Sequence, residues 1–333
     1  MRAIFLCNAK NNVQRVYSEN TVAALRELVE LDGEVYCGED ITVEPEKFSD
    51  VEIIFSSWGI PEFSEQSIAR YLPRLKKVFY AAGSVQHFAR PYLSAGCGVV
   101  SAWAANAVPV AEFTLSQILL ANKGYFHTVR AYAKTRDFWN REAYAEQNGN
   151  FDETVGIIGA GMIGRNVIRL LKNFNLKVIV FDPFLSDERA DELGVTKCGL
   201  NEVFERAFAV SNHLADNEHT RGMLGYEQFS RMRKNAVFIN TGRGAQVVEG
   251  DLVRALRERE DLTALLDVTY PEPADAAHPF FELPNCLLTP HVAGSVGLEV
   301  RRMGEYMLAE CRRYLSGEPL LYEVNEKMLE TMA

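Results

Sequence analysis

The sequence predicts an α/β fold of two doubly wound parallel-sheet domains, and three observations carry that prediction. Short apolar runs alternate with amphipathic helical segments along most of the chain. Near the middle, an apolar strand runs straight into a G-x-G-x-x-G turn that opens a helix. The length, 333 residues with 47% hydrophobic content, leaves room for two ordinary domains with full cores.

Taken in order, the first strands are expected at Ala3 to Cys7, Glu34 to Cys37, Val51 to Phe55, Lys77 to Tyr80 and Val99 to Ala102. Helical segments fall around Val22 to Leu31, Ser64 to Tyr71 and Ala89 to Ala95. Short strands with interposed helices imply a parallel sheet. Val108, Ala111, Leu115, Ile118 and Leu119 then keep helical spacing with Pro109 near the start, which suits a helix crossing to the second unit. The boundary is placed near Ala104, so residues 1–103 form the first part of one domain. Thr128 to Asn150, rich in Arg, Asp, Glu, Asn and Gln, reads as an exposed connection.

The glycine turn is Gly159-Ala160-Gly161-Met162-Ile163-Gly164, entered from Val155-Gly156-Ile157-Ile158. Gly159 permits the tight turn, Gly161 lets the backbone approach a pyrophosphate, and Gly164 lets the helix of Val167, Leu170 and Leu171 pack close to the strand. Free N–H groups at the helix start then face the phosphates. A second strand, Val178-Ile179-Val180-Phe181, ends in Asp182, 18 residues after Gly164. A carboxylate there accepts hydrogen bonds from both ribose hydroxyls and repels a 2′-phosphate, and no Arg follows in Pro183-Phe184-Leu185. The cofactor expected is therefore NAD rather than NADP.

Alternation continues through strands at Ala209 to His213, Ala236 to Asn240, Thr263 to Asp267 and Cys286 to Thr289. Val300, Met303, Met307, Cys311 and Tyr314 recur at helical spacing, so a last helix returns to pack on the first unit. The NAD-binding domain is then 104–295, and 296–333 completes a discontinuous first domain. The tail from Tyr322, with Met328, Leu329 and Met332, is expected either to cover a cleft or to dock on its own domain.

Ligands of open α/β sheets bind beyond the strand ends, and three polar residues stand there. Arg243 lies between Gly242 and Gly244, where its fork can clamp a carboxylate through two hydrogen bonds. His291, in Thr289-Pro290-His291-Val292-Ala293-Gly294, is the candidate acid/base because imidazole titrates near neutrality. Glu272, between Pro271 and Pro273, is the carboxylate expected to orient that ring and hold its protonated form. The plain alternatives are an Arg243 pair with Glu249 or Asp251, a structural histidine, and a solvated loop acid.

Composition excludes other classes. Lys and Arg total 35 against 45 acids, a formal charge of −10, which is poorly suited to nucleic acid. Cys7, Cys37, Cys97, Cys198, Cys286 and Cys311 lack the short spacings of a metal cluster and suit reduced core residues, so no metal is expected. The apolar run at the N-terminus stops at Asn8, too short for a signal sequence, and no run is expected to reach membrane-spanning length. The expectation is a cytoplasmic protein without a membrane partner.

Together the glycine turn, Asn240-Thr241-Gly242-Arg243-Gly244, Asp267 with Glu272, Thr289-Pro290-His291 and Asn106-Ala107-Val108-Pro109-Val110-Ala111-Glu112 resemble the D-isomer-specific 2-hydroxyacid dehydrogenases. The resemblance implies a Rossmann-type NAD-binding domain and a flavodoxin-like substrate domain around a cleft, usually in homodimers. It implies Arg243, Glu272 and His291 as the catalytic trio, with Gly161, Met162, Ile163 and Asp182 lining the NAD site. Thr241, Asp267 and Gly294 would sit near the nicotinamide, and His213 near the cofactor. The implied reaction reduces a 2-oxo acid to a D-2-hydroxy acid or runs in reverse.

One departure bears on the substrate. Where the family often carries Gly-x-Gly-x-Asp, this chain has Gly83-Ser84-Val85-Gln86-His87. Backbone N–H groups of Ser84 and Val85 still suit a carboxylate, although Val85 lacks glycine's freedom. The neighbouring loop Ser56-Ser57-Trp58-Gly59 carries no Arg or Lys, which disfavours a phosphorylated substrate, and Trp58 beside Ser57 suits an apolar or sugar-like side chain or simple packing. Two rival readings are a non-catalytic NAD(H)-responsive binding protein of the corepressor type and a formate dehydrogenase-like enzyme. The second group pairs Gln with its histidine, whereas Glu272 stands here.

Overall fold

The computed structural model describes residues 1–139 and 149–330. The chain separates into two compact units, Met1–Asn106 with Ser295–Ala333, and Ala107–Gly294. The first unit runs β1 (Arg2–Leu6), α1 (Lys10–Val16), α2 (Glu19–Leu28), β2 (Glu30–Tyr36), α3 (Gly38–Val43), β3 (Ile53–Ser56), α4 (Glu65–Tyr71), β4 (Lys77–Tyr80), α5 (Ala89–Ser94) and β5 (Gly98–Ser101). Helix α6 (Trp103–Asn122) contains the division between the units. The second unit continues with α7 (Tyr125–Thr135), β6 (Phe151–Ile158), α8 (Met162–Leu171), β7 (Asn175–Phe181), α9 (Asp187–Leu193), β8 (Thr196–Lys197) and α10 (Leu200–Arg206). It is completed by β9 (Ala209–Asn212), α11 (Tyr226–Ser230), β10 (Val237–Asn240), α12 (Glu249–Glu258), β11 (Thr263–Leu266) and β12 (Cys286–Leu288). Helix α13 (Arg301–Ser316) and strand β13 (Glu323–Val324) return to the first unit.

Each unit is a doubly wound sheet. The first has strand order β13-β5-β4-β3-β1-β2 and the second β12-β11-β10-β9-β6-β7-β8. Every pairing is parallel except β13 on β5, where the tail comes back antiparallel. Alternate residues of each strand enter different cores, as a period of two requires. In β10, Val237 and Ile239 face one core and Phe238 the other. In β3, Ile53 and Phe55 face one and Ile54 the other. Burial on both faces is why these strands read as unbroken apolar runs.

Several sequence expectations shift. Helix α2 begins at Glu19 because the Ser18 hydroxyl caps it by accepting from the Thr21 amide, and it ends before Leu31, where β2 pairs with β1. Strand β2 lies at the sheet edge, where half-buried Asp32 and exposed Gly33 break its apolar pattern and hid its start. Thr128 to Asn150 is not simply a connection, since α7 runs to Thr135; positions 140–148 lie outside the described residues. Pro109 sits inside α6 rather than at its first turn. That helix, 20 residues with mean hydropathy 1.2, does meet the length and composition of a membrane-crossing segment, contrary to expectation. Half of it is buried in the fold, with Ala111, Ile118 and Ala121 in a core of the second unit. The tail docks on its own unit, placing Val324 and Leu329 in the core beside Tyr92 and Val99. Met332 lies outside the described residues.

Candidate active site

Because β6, β7 and β9 to β12 are parallel, the segments leaving them gather along one edge of the second sheet. After β6, Gly159 has φ +89°, and a Cβ there would stand 2.9 Å from the His213 carbonyl oxygen. A Cβ on Gly164 would come within 2.0 Å of the Gly159 carbonyl oxygen, so the helix rests directly on the turn. Gly161 is different: a Cβ there meets nothing within 4 Å. That open side lies at the start of α8, where the first amide donors have no partner within the helix. Gly161 and Met162 are exposed and Ile163 half-buried, an arrangement that fits a dinucleotide pyrophosphate. The Arg165 guanidinium braces the turn by donating to the Ala160 carbonyl at 2.7 Å.

Asp182 follows β7 and links the turn to the strand end. One carboxylate oxygen accepts from the Ala160 amide and the other from the Phe184 amide, each at 2.7 Å. After β9, His213 is buried, with Nε2 2.9 Å from the Ser211 hydroxyl and Nδ1 3.4 Å from that of Thr241. Burial without a charged partner pulls its pKa down to about 3, so this ring is neutral. Thr241 is also buried and shares a hydrogen bond with Thr114 at 3.2 Å.

Arg243 sits after β10 on a platform of buried amides that sequence reasoning missed. Asn212 donates to Asn240 at 3.0 Å and to Gln246 at 2.5 Å, and Gln246 donates to the Leu214 carbonyl at 2.6 Å. Asn240 in turn donates to the Arg243 carbonyl, and Gln246 accepts from the Arg243 amide, each at 3.2 Å. The platform fixes the turn from both sides. The guanidinium donates to the Gly242 carbonyl at 2.8 Å and has no carboxylate partner among the described residues. Glu249 and Asp251, the alternative partners, accept instead from the Tyr270 and Tyr226 amides.

The histidine loop is organised by Asp267. Its side chain is buried, and its oxygens accept from the Thr289 hydroxyl at 2.6 Å and the Val292 and Ala293 amides at 2.8 and 2.9 Å. This carboxylate holds the turn around His291. That turn puts His291 in the left-handed region at φ 53°, uncommon for a residue with a Cβ, and such strain persists only where the surroundings over-determine it. His291 Nδ1 meets Glu272 Oε1 at 2.5 Å, and both side chains remain about 40% exposed. Gly294, half-buried, closes the loop.

The first unit holds the remaining candidates. Ser57 is wholly buried and its hydroxyl donates to the Ala81 carbonyl at 3.2 Å, so that side chain is spent inside the unit. Val85 belongs to the core, while Ser84 is half-buried. Trp58 is 37% exposed, its carbonyl held by Asn12 at 2.8 Å. The cysteines are free, and burial raises the thiols of Cys7, Cys97, Cys198, Cys286 and Cys311. Among the described residues no group of His, Cys, Asp and Glu could hold a metal ion.

A doubly wound sheet with a glycine turn and an acid after the next strand defines a dinucleotide-binding protein, and an arginine and a carboxylate–histidine pair stand on its adjoining strand ends. The chain belongs to the D-isomer specific 2-hydroxyacid dehydrogenase family, whose NAD binding domain matches residues 116–293. It is 32% identical over 249 residues to YoaD of Bacillus subtilis, covering 73% of this chain and 67% of that one. It is 28% identical over 302 residues to a D-3-phosphoglycerate dehydrogenase of Methanocaldococcus jannaschii, covering 90% of this chain; it spans only 56% of that relative's length. The crystal structure of a phosphoglycerate oxidoreductase from Rhizobium etli shares the fold, with TM-score 0.81 at 24% identity over 98% of this chain and 99% of that one.

Proposed function

We propose that the protein is an NAD-dependent oxidoreductase interconverting a 2-oxo acid and a D-2-hydroxy acid. The observation that carries this reading is the 2.5 Å contact between His291 and Glu272, at strand ends beside the one bearing an Arg243 free of carboxylates. With Nδ1–H engaged by Glu272, Nε2 is the nitrogen that passes a proton to or from the substrate oxygen. The carboxylate stabilises the imidazolium without taking the proton. Arg243 holds the substrate carboxylate and draws charge toward the carbonyl oxygen as an alkoxide develops. Gly161, Met162 and Ile163 would hold the pyrophosphate and Asp182 the adenosine ribose. NADH, when bound, supplies the hydride.

A non-phosphorylated substrate suits this chain better, because neither Ser56 to Gly59 nor Gly83 to His87 contains Lys or Arg. A homodimer is part of the same reading: Tyr125, Val129 and Tyr132 recur at helical spacing on α7 and are about half exposed, and sedimentation at micromolar concentration should give twice the chain mass.

The test is NADH oxidation across small, branched, aromatic, sugar-derived and phosphorylated 2-oxo acids, repeated with NADPH. Rapid turnover of one non-phosphorylated class is expected, with NADH favoured over NADPH. Asp182→Ser should weaken NADH binding roughly 10- to 100-fold, the loss of one or two bonds to a charged acceptor. Tight NADH binding without turnover of any 2-oxo acid would overturn the enzymatic reading.

A further inference from the structure

We propose that Glu249, with His278, positions the acid/base half of the site; this rests on the roles given above to Glu272 and His291. Glu249 opens α12, and its side chain is only 14% exposed. Its two oxygens are both engaged by the loop that carries Glu272. The Tyr270 amide donates to Oε1 at 2.9 Å, and His278 Nε2 lies 3.1 Å from Oε2. His278 Nδ1 accepts from the Phe280 amide at 3.3 Å, which leaves the ring proton on Nε2 and makes Nε2 the donor to Glu249. Tyr270 precedes Glu272 by two residues and His278 follows it by six, so one carboxylate grips the loop on both flanks.

The same loop abuts the arginine turn. A Cβ on Gly244 would stand 2.1 Å from the Thr269 carbonyl carbon, so the backbone after Arg243 lies against the backbone leading to Glu272. Residues 243–249 thus touch the Glu272 loop twice, once through bare backbone and once through Glu249. A helix-opening Glu acting only on its own first turn requires neither contact. The arrangement holds the carboxylate anchor and the acid/base pair in one register, which is what hydride and proton transfer to a single carbonyl demands.

The experiment uses the full chain with Glu249→Ala, Glu249→Gln and His278→Phe, reading kcat and KM with the best 2-oxo acid and amide exchange at Tyr270. Glu249→Ala should lower kcat roughly 10- to 100-fold while KM and NADH affinity change less than about twofold. Glu249→Gln, whose amide keeps an acceptor for one of the two donors, should recover part of that loss, and His278→Phe should fall between wild type and Glu249→Ala. Exchange at the Tyr270 amide should quicken in Glu249→Ala. Unchanged kcat per folded molecule, KM rising in step with kcat loss, or unchanged Tyr270 exchange would each overturn the proposal. If the wild type reduces no 2-oxo acid, the enzymatic reading fails instead, and Tyr270 exchange still decides whether Glu249 holds the loop.

Discussion

Removing the Arg243 guanidinium is expected to separate chemistry from cofactor binding. Its contacts inside the protein are to the Gly242 carbonyl and, through its backbone, to the amide platform, so Arg243→Ala leaves the glycine turn untouched. kcat/KM should fall by at least ~10²–10³, as for loss of an oxyanion donor, with NADH affinity nearly intact. Arg243→Lys should recover little, since a point charge cannot replace the fork. An unchanged rate in Arg243→Ala would remove this residue from the mechanism. His213 supplies a stability prediction. Its buried ring titrates near 3 against an ordinary 6.5, so below pH 6.5 the unfolded chain takes up a proton that the folded chain refuses. The stability is therefore complete above 6.5 and drains away as pH falls toward 3, by about 1.4 kcal/mol per pH unit. Denaturant unfolding at pH 7 and pH 5 should show wild type losing about 2 kcal/mol more than His213→Asn; equal losses would show that the ring is not held neutral. The gathering of Arg243, Glu272 and His291 at adjoining strand ends was legible because glycine, proline and the ends of apolar runs are local marks in the sequence. Asn212, Gln246 and the hydrogen bonds of Asp267 were not, because a buried amide or acid satisfied by distant partners looks in sequence like an exposed one.

At the scale of elements, the strand-to-helix turn from β6 to α8 is where sequence and structure agree most closely, for a covalent reason. Glycine's freedom is a property of the residue itself, so Gly159 at φ +89° and Gly164 against the Gly159 carbonyl are written locally. Gly164→Ala tests it. The added Cβ would fall 2.0 Å from a backbone oxygen that has no rotamer to move, so α8 must lift from the turn. Thermal and denaturant unfolding should show a loss of roughly 1–3 kcal/mol, accompanied by weakened NADH binding. Gly161→Ala, with open space around its Cβ, should keep wild-type stability and lose NADH affinity alone. Equal stability of the two variants would contradict the packing role of Gly164. Elements that the sequence concealed had no such local mark. The edge strand β2 lacks a continuous apolar run, and the early residues of α7 carry aromatic and polar side chains that are only partly covered.

For the whole molecule, each unit carries cores on both faces of its own sheet, and that organisation has a consequence for folding. In the second unit, Phe204, Phe229 and Phe238 pack on one face, while Ile157, Val180, Ile239 and Leu265 pack with Ala111 and Ile118 of α6 on the other. No residue of β1 to β5 belongs to either cluster. The glycine turn, Asp182, His213, Arg243, Glu272 and His291 all lie within Ala107–Gly294. A fragment of residues 103–294, begun at the first residue of α6 so that its helix stays whole, should therefore fold as an independent domain. It should unfold cooperatively and bind NADH with a Kd within about threefold of the full chain; at a hundredfold excess over Kd, NADH should add about 2.7 kcal/mol to its stability. The same fragment should reduce no 2-oxo acid at a useful rate if substrate also requires the first unit, where Ser84 and Trp58 reside. NADH-driven stabilisation without turnover would assign cofactor binding to one unit and substrate selection to the other. A fragment that is aggregated or blind to NADH would show that its two cores are insufficient without the remainder of the chain.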